Sequence, residues 1–435
     1  MTSEEAELEK PGEAFLLGAG FSRAVNDEMP TMIELGEAVV DRLGLSRTDP
    51  LQRFQGDVER WMSHLATDQP WLTDSENLHN RALFIEASEA VRDCIEAAET
   101  LATQFDPPEW LLRLVLHWSY YRCPIITFNY DLLIERAVRH LRLCATLGDL
   151  YGISITSRHP PGTALAFSAG RPAKDLLTLY KLHGSVNWLY NGLGAPPTDP
   201  ITLSQELNSW QTSTRRPYDD SWEDDAWRHS PGYRFINSGL QPLIVPPAGT
   251  KNDFYKNRAL RAQWSHASKA IGRSSGLTVM GFSFPASDSQ VRDFLTSSFT
   301  ADRLSIVDYN SKAVDRPKEF MRADTTIEQH FAGASALPDY VGNKCGQILR
   351  WTQLQPDAEG AHRVLINCGD EQYPLLLDTK NHDPVSAVIR LINQRWPRAA
   401  DRSTFETSGK YFLGEPVMGP AYLAYLPKHT VSSSM

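Results

Sequence analysis

Short apolar runs that end in small or polar residues recur along the chain. Residues 14–20 (AFLLGAG) come first, followed by 124–129 (PIITFN), 176–183 (LLTLYKLH), 243–247 (LIVPP), 277–284 (LTVMGFSF) and 304–310 (LSIVDYN). Such runs, bounded by turn residues, are the pattern of strands buried on both faces of a parallel sheet. Between them, 33–43 and 132–143 alternate apolar and charged residues at helical spacing. Strands alternating with helices predict an α/β fold with a doubly wound parallel sheet. Residues 50–120 are rich in Trp, Leu, Ala and Glu with few strand signals, and read as a helical insertion between the first two strands. Residues 191–240 carry Pro196, Pro197 and the acids Asp219, Asp220, Glu223, Asp224 and Asp225, with Trp210, Trp222 and Trp227 among them. A long irregular segment of this kind is either a lid or a solvated surface excursion.

The pattern changes near the end of the chain. The polar stretch 352–362 reads as a linker that closes a unit of residues 1–351. Beyond it, 363–435 reads as a small α+β module: strands 363–368 and 373–378, a helix 385–396, and strands 410–414 and 421–426. That order resembles a ubiquitin-like β-grasp. The chain ends VSSSM without a terminal Gly-Gly, so the module reads as an assembly or partner-binding unit, not a conjugated modifier.

Composition narrows the classes. Hydrophobic residues make up 41% and charged residues 22% of the 435 positions, which is ordinary globular usage. The formal net charge of -10 repels phosphate backbones, so direct nucleic-acid binding is not expected. The cysteines Cys94, Cys123, Cys144, Cys345 and Cys368 are odd in number and form no C-x-x-C pair. Neither a disulfide framework nor a four-cysteine zinc site is expected, and no metal. The acidic start carries no secretory signal and no run of about 18 apolar residues occurs, so a cytoplasmic chain without a membrane span is expected.

Candidate chemistry lies at the strand ends, where open α/β sheets bind ligands. Gly18-Ala19-Gly20-Phe21-Ser22 lets backbone N–H groups approach a pyrophosphate. Arg23 occupies the third glycine position of a dehydrogenase fingerprint, which removes the hydride-transfer reading. In Thr127-Phe128-Asn129-Tyr130-Asp131, Asn129 and Asp131 face a ligand or simply cap the following helix. Lys181-Leu182-His183-Gly184-Ser185 places a histidine beside the same crevice. Gly281-Phe282-Ser283-Phe284-Pro285 with Asp288, and then Asp308-Tyr309-Asn310, carry groups that suit a phosphate or a ribose hydroxyl, or plain turn chemistry.

Together, GAGFS, TFNYD, KLHGS, GFSFP and VDYN, in this order over residues 14–312, resemble the sirtuin family. KLHGSVNWLY and ITFNYDLLIERA are similar to its divergent bacterial branch, the sirtuin-like NAD hydrolases of antiphage defence. The sequence departs from the deacylase sirtuins in lacking their paired zinc cysteines. It also has Met29-Pro30-Thr31-Met32 where they carry Pro-x-Phe-Arg. The resemblance implies a sirtuin-like Rossmann fold that takes NAD as substrate and hydrolyses it to nicotinamide and ADP-ribose. It implies that Asn129 positions the attacking water or stabilises the developing charge, and that His183 is a general base. Gly18, Ala19, Gly20, Phe21 and Ser22 would cradle the phosphates. Asp131 would serve the nicotinamide ribose, and Gly281, Ser283, Asp308 and Asn310 the adenosine side. The alternatives are protein deacylation or ADP-ribosyl transfer, and a non-catalytic NAD or ADP-ribose sensor. A homo-oligomer is expected, with any partner or sensor protein meeting the C-terminal module.

Overall fold

The computed structural model describes residues 12–45, 53–54, 57–141, 143–144, 146–153, 155–157, 166–167, 176–192, 194–203, 207, 210–211, 240–245, 254–285, 289–353, 362–368, 371–377 and 421–426. The strands, in chain order, are β1 (Ala14–Leu17), β2 (Pro124–Thr127), β3 (Thr156–Ser157), β4 (Ala166–Phe167) and β5 (Thr178–Lys181). They continue with β6 (Gly184–Tyr190), β7 (Thr202–Leu203), β8 (Gln241–Ile244), β9 (Leu277–Met280) and β10 (Arg303–Asp308). The last are β11 (Thr326–Ala332), β12 (Gln347–Gln353), β13 (His362–Cys368), β14 (Glu371–Leu377) and β15 (Ala421–Leu426).

Six strands form a sheet in the order β11-β10-β9-β1-β2-β5, and every pairing in it is parallel. Taken among themselves in chain order, these strands run 3-2-1-4-5-6 across the sheet, the dinucleotide-fold order. The expected α/β, Rossmann-like sheet is therefore present. Its side chains divide between two cores with the period of two that a strand imposes. Phe15 and Leu17 enter the larger core, while Ala14 and Leu16 enter the smaller. Val279 and Ile306 join the smaller core and Met280 and Val307 the larger.

The helical insertion is also present. Helices Val58–Ala66, Asp74–Ala102 and Glu109–Tyr120 lie between β1 and β2 and pack into the larger core. The longest begins at a capping box, in which Thr73 and Glu76 exchange side-chain and backbone hydrogen bonds. The opposite face is covered by Arg258–Arg273 and Ser289–Ser298, through Ala267, Ile271, Val291 and Leu295.

Two strand expectations change. The apolar run at 243–247 belongs to β8, which pairs antiparallel with β6 in a second sheet of order β4-β3-β7-β6-β8. An apolar run reports burial and not direction, and the wholly buried β6 supplies an antiparallel partner. Strand β11 escapes the pattern because it is an edge strand: among the described residues it pairs with β10 alone, and none of its positions is fully buried.

A third sheet has the order β14-β13-β12-β15, with antiparallel pairings throughout. It includes β12 (Gln347–Gln353), so the first residues of the linker expected from 352 lie in a strand. The helix expected at 385–396 and the strand at 410–414 lie outside the described residues, as does most of 191–240. No helix among the described residues is long and apolar enough to cross a membrane.

One half-buried group gives the fold a pH dependence. His117, on Glu109–Tyr120, packs against Tyr121 with ring centroids 4.7 Å apart, and burial lowers its pKa from 6.5 to about 4. The folded state thus binds this proton less readily than the unfolded chain does. Its contribution to stability is complete above pH 6.5 and is lost as pH falls toward 4. Denaturant titrations should show the chain losing about 2 kcal/mol through this group between pH 7.5 and pH 5. His117→Gln should remove that part of the pH dependence.

Candidate functional site

The chain runs from β1 outward to β2 and β5, then returns to place β9 on the other side of β1. This reversal is the topological switch point, and ligands of such sheets bind beyond the carboxyl ends of the strands there. Two glycine turns meet at this point. A Cβ on Gly18 would lie 2.6 Å from the Gly281 carbonyl oxygen, and one on Gly281 would lie 2.2 Å from the Phe21 nitrogen. Gly281 also has φ +61, in the left-handed region. Glycine is required here first by the contact between the two turns.

That contact uses several N–H groups expected for a phosphate. Gly20 N–H donates to Gly281 O at 2.9 Å, Phe21 N–H to Gly18 O at 2.9 Å and Gly18 N–H to Met280 O at 3.1 Å. The Phe21 side chain is 1% exposed and packs on Trp110 and Trp118. Phe21 is thus a core residue rather than a ligand contact, because its aromatic face is worth more against the two tryptophans than in solvent.

The second glycine turn is strained. Phe284, a non-glycine residue, has φ 50, and it is buried against Phe282 and Phe320. Arg316 holds the turn by donating to the Ser283 and Phe284 carbonyls at 2.8 and 3.3 Å. Backbone strain kept in place by its surroundings clusters at ligand sites.

Beside this junction the loops after β1 and β2 share one network. Asn129 Nδ2 donates to Gly18 O at 2.8 Å and to Ser22 Oγ at 2.8 Å. Ser22 Oγ donates in turn to Asp131 Oδ2 at 2.6 Å. A carbonyl oxygen can only accept, so the contact with Gly18 fixes which end of the amide is nitrogen. Both amide hydrogens are then committed, and Oδ1 is the atom Asn129 retains for a ligand. Asp131 is engaged on both oxygens: Oδ2 accepts from Ser22, while Oδ1 accepts the first N–H of helix Leu133–His140 at 3.2 Å, the helix-end role expected of it. Asn129 is not a cap.

The network borders a cavity of about 50 Å³, room for a few ordered waters. Ser22, Asn129 and Asp131 form its polar side, and Ala19, Met29, Met32, Leu35 and Ile95 its apolar side. The rim is held by Arg23, which donates to Met29 O and to Glu34, each at 3.1 Å. Glu34 caps helix Met32–Arg42 through Thr31. The Thr31 backbone N–H, the Thr31 hydroxyl and Arg23 together hold the Glu34 carboxyl below its usual pKa, against a partial burial.

The other expected residues are placed differently. His183 is 2% exposed and does not line the cavity; it packs against Phe128, which does, with ring centroids 4.8 Å apart. Ser283 is exposed, and Asp308 and Asn310 lie at the end of β10, away from the cavity. Burial raises the Asp308 pKa against the Asn310 N–H that it accepts. Asn310 Oδ1 is occupied by the Lys312 N–H at 2.9 Å, which makes it a turn residue. Asp288 lies outside the described residues. Sequence reasoning missed the buried charges behind the site, Glu99, Glu135, Arg136 and Lys181: the first three lie in helical patterns, where a charge normally marks a solvent face, and Lys181 ends a strand beside the more conspicuous His183.

No family model matches the chain, and no curated protein matches it.

Proposed function

We propose that the chain is a sirtuin-like NAD hydrolase that cleaves the nicotinamide–ribose bond at the cavity beside the switch point. The observation that carries this reading is the Asn129–Ser22–Asp131 network, which leaves the Asn129 carbonyl oxygen as the acceptor turned over to a ligand. The chemistry needs such an atom. As the C–N bond breaks, nicotinamide departs with the electron pair and the ribose becomes an oxocarbenium-like cation. A fixed carbonyl oxygen stabilises that cation or orients a water toward it. His183 takes the proton of the water, or of a ribose hydroxyl, once substrate has entered past Phe128. The apolar wall of Met29, Met32, Leu35 and Ile95 meets the flat nicotinamide ring once the cavity, about 50 Å³ as it stands, widens to admit it. Ala19 approaches the phosphates, and the end of β10, with Asp308, serves the adenosine. The products are nicotinamide and ADP-ribose. In a defence setting the outcome is depletion of NAD, with the C-terminal sheet serving assembly or partner contact.

One observation favours a second reading. His183 is buried and outside the cavity, as it would be in a protein that senses NAD or ADP-ribose without turning it over.

Product analysis decides among these. The chain is incubated with NAD in the presence of an acetyl-lysine peptide. The hydrolase reading predicts free ADP-ribose equal to the nicotinamide formed, with the peptide unchanged. Transfer of acetyl or ADP-ribose would identify a transferase, and binding of NAD without products a sensor.

A further inference from the structure

One peptide unit beside the site is held at both of its polar ends by buried charges. The Asp131 carbonyl accepts from the Lys181 ammonium. The Leu132 N–H, in the same peptide, donates to Glu99 Oε1 at 2.6 Å. Lys181 is 1% exposed and Glu99 0%. Each has a counter-charge on the helix that follows: Lys181 Nζ lies 3.0 Å from Glu135 Oε1, and Arg136 lies 2.8 Å from Glu99 Oε2. Glu135 and Arg136 are buried too. The Tyr151 hydroxyl donates to Glu135 at 3.0 Å, and Arg136 donates to the Trp210 carbonyl at 3.2 Å. The two ends of the arrangement come from far apart: Glu99 from the inserted helix Asp74–Ala102 and Lys181 from the end of β5.

Stability does not account for these four charges. Removing ions from water is costly, and replacing buried ion pairs with apolar residues of similar volume is often neutral or stabilising. What the charges do supply is direction. A cation on the carbonyl and an anion on the N–H match the peptide dipole from both ends through charge-assisted hydrogen bonds. The peptide so fixed directly follows the Asp131 side chain, which orients Ser22 and, through it, Asn129.

We infer that Glu99 and Lys181, neutralised by Arg136 and Glu135, clamp the Asp131–Leu132 peptide and thereby position Asn129 and Asp131 for NAD cleavage. The inference rests on the proposed reading of the site. None of the four lines the cavity, so they are positioning residues and not catalytic ones. The helical insertion thereby becomes part of the site. It also supplies Ile95 to the cavity wall, and its Ala102 carbonyl accepts from Asn26 on the rim segment at 3.4 Å.

Three paired variants of the full chain test this. Glu99→Met/Arg136→Met removes the hold on the N–H together with its counter-charge, and Lys181→Met/Glu135→Leu removes the hold on the carbonyl. Glu99→Gln/Arg136→Met keeps an acceptor for Leu132 without the charge. The first two should stay folded, with kcat for NAD cleavage reduced on the order of tenfold or more and KM changed little. Amide hydrogen exchange across 129–133 should accelerate in both. The glutamine variant should restore most of the protection and of kcat. Wild-type exchange and kcat in the first two variants would overturn the clamp, as would failure of all three to fold, which would make the charges purely structural. If the wild-type chain releases no nicotinamide, the functional reading fails by itself, and the exchange measurement still decides whether the peptide is clamped.

Discussion

Replacing Asn129 with alanine should abolish NAD cleavage while leaving the chain folded. The side chain makes two hydrogen bonds, to Gly18 O and Ser22 Oγ, each worth about 1 kcal/mol net. The fold rests on two large apolar cores and tolerates that loss. Catalysis loses the acceptor nearest the developing cation, and removing one preorganised electrostatic group costs on the order of 10²–10³ in kcat. His183→Ala removes the proposed general base and should cost about 10²–10⁴-fold. The two differ in their structural effect. His183 fills a place among Phe128 and Trp264, so its alanine variant should also melt earlier, whereas Asn129→Ala should melt close to wild type. Calorimetric melting and steady-state nicotinamide release, measured on the same preparations, separate the two effects. Wild-type turnover in both variants would remove the assigned site.

Gly281→Ala should be severely damaging, because it wedges the two turns at the site apart. The added methyl would lie 2.2 Å from the Phe21 nitrogen and 2.4 Å from the Gly20 carbonyl carbon. Both are backbone atoms, so no rotamer change relieves the clash. The φ of +61 adds strain for any residue with a side chain, at about 1–2 kcal/mol. Opening the junction would also break the Gly20–Gly281 hydrogen bond and shift Gly18, to which Asn129 is tied. The variant should therefore lose several kcal/mol of stability, on the order of 3–5, as other mutations that force backbone displacement do, and should lose NAD binding with it. Gly194→Ala is the control, since a Cβ there meets nothing within 4 Å. Equal stability of the two variants in urea would mean that the turns are not locked together.

The sheet was legible in the sequence because all of its strands but β11 fall in short, largely apolar runs separated by helical patterns. Leu16 and Phe15 face different cores, yet neither residue type reveals which; direction and pairing partner come from tertiary context, as β8 shows. Strand β11 was hidden because its polar, half-exposed sequence looks like a surface segment. At the site, Ser22, Asn129 and Asp131 were legible as polar residues following apolar strands, and they do converge. Phe21 was misplaced because a motif position does not say which way its side chain points. The clamp was not legible at all. Glu99 lies among Glu96 and other polar residues of a long helix, and only the packing of that helix against the loop after β2 reveals that its carboxylate faces inward. Lys181 stood within a motif that drew attention to His183, while its own role depends on the Asp131 carbonyl, fifty positions away in the chain.

The account stands most directly on whether the full chain releases nicotinamide from NAD. Purified protein is incubated with NAD over a range of protein concentrations wide enough to span self-association, and nicotinamide and ADP-ribose are quantified by chromatography. The account predicts that the two appear in equal amounts, at a rate that rises with assembly and is lost in Asn129→Ala. NAD recovered intact at every concentration, with no nicotinamide above the rate in buffer alone, would contradict it.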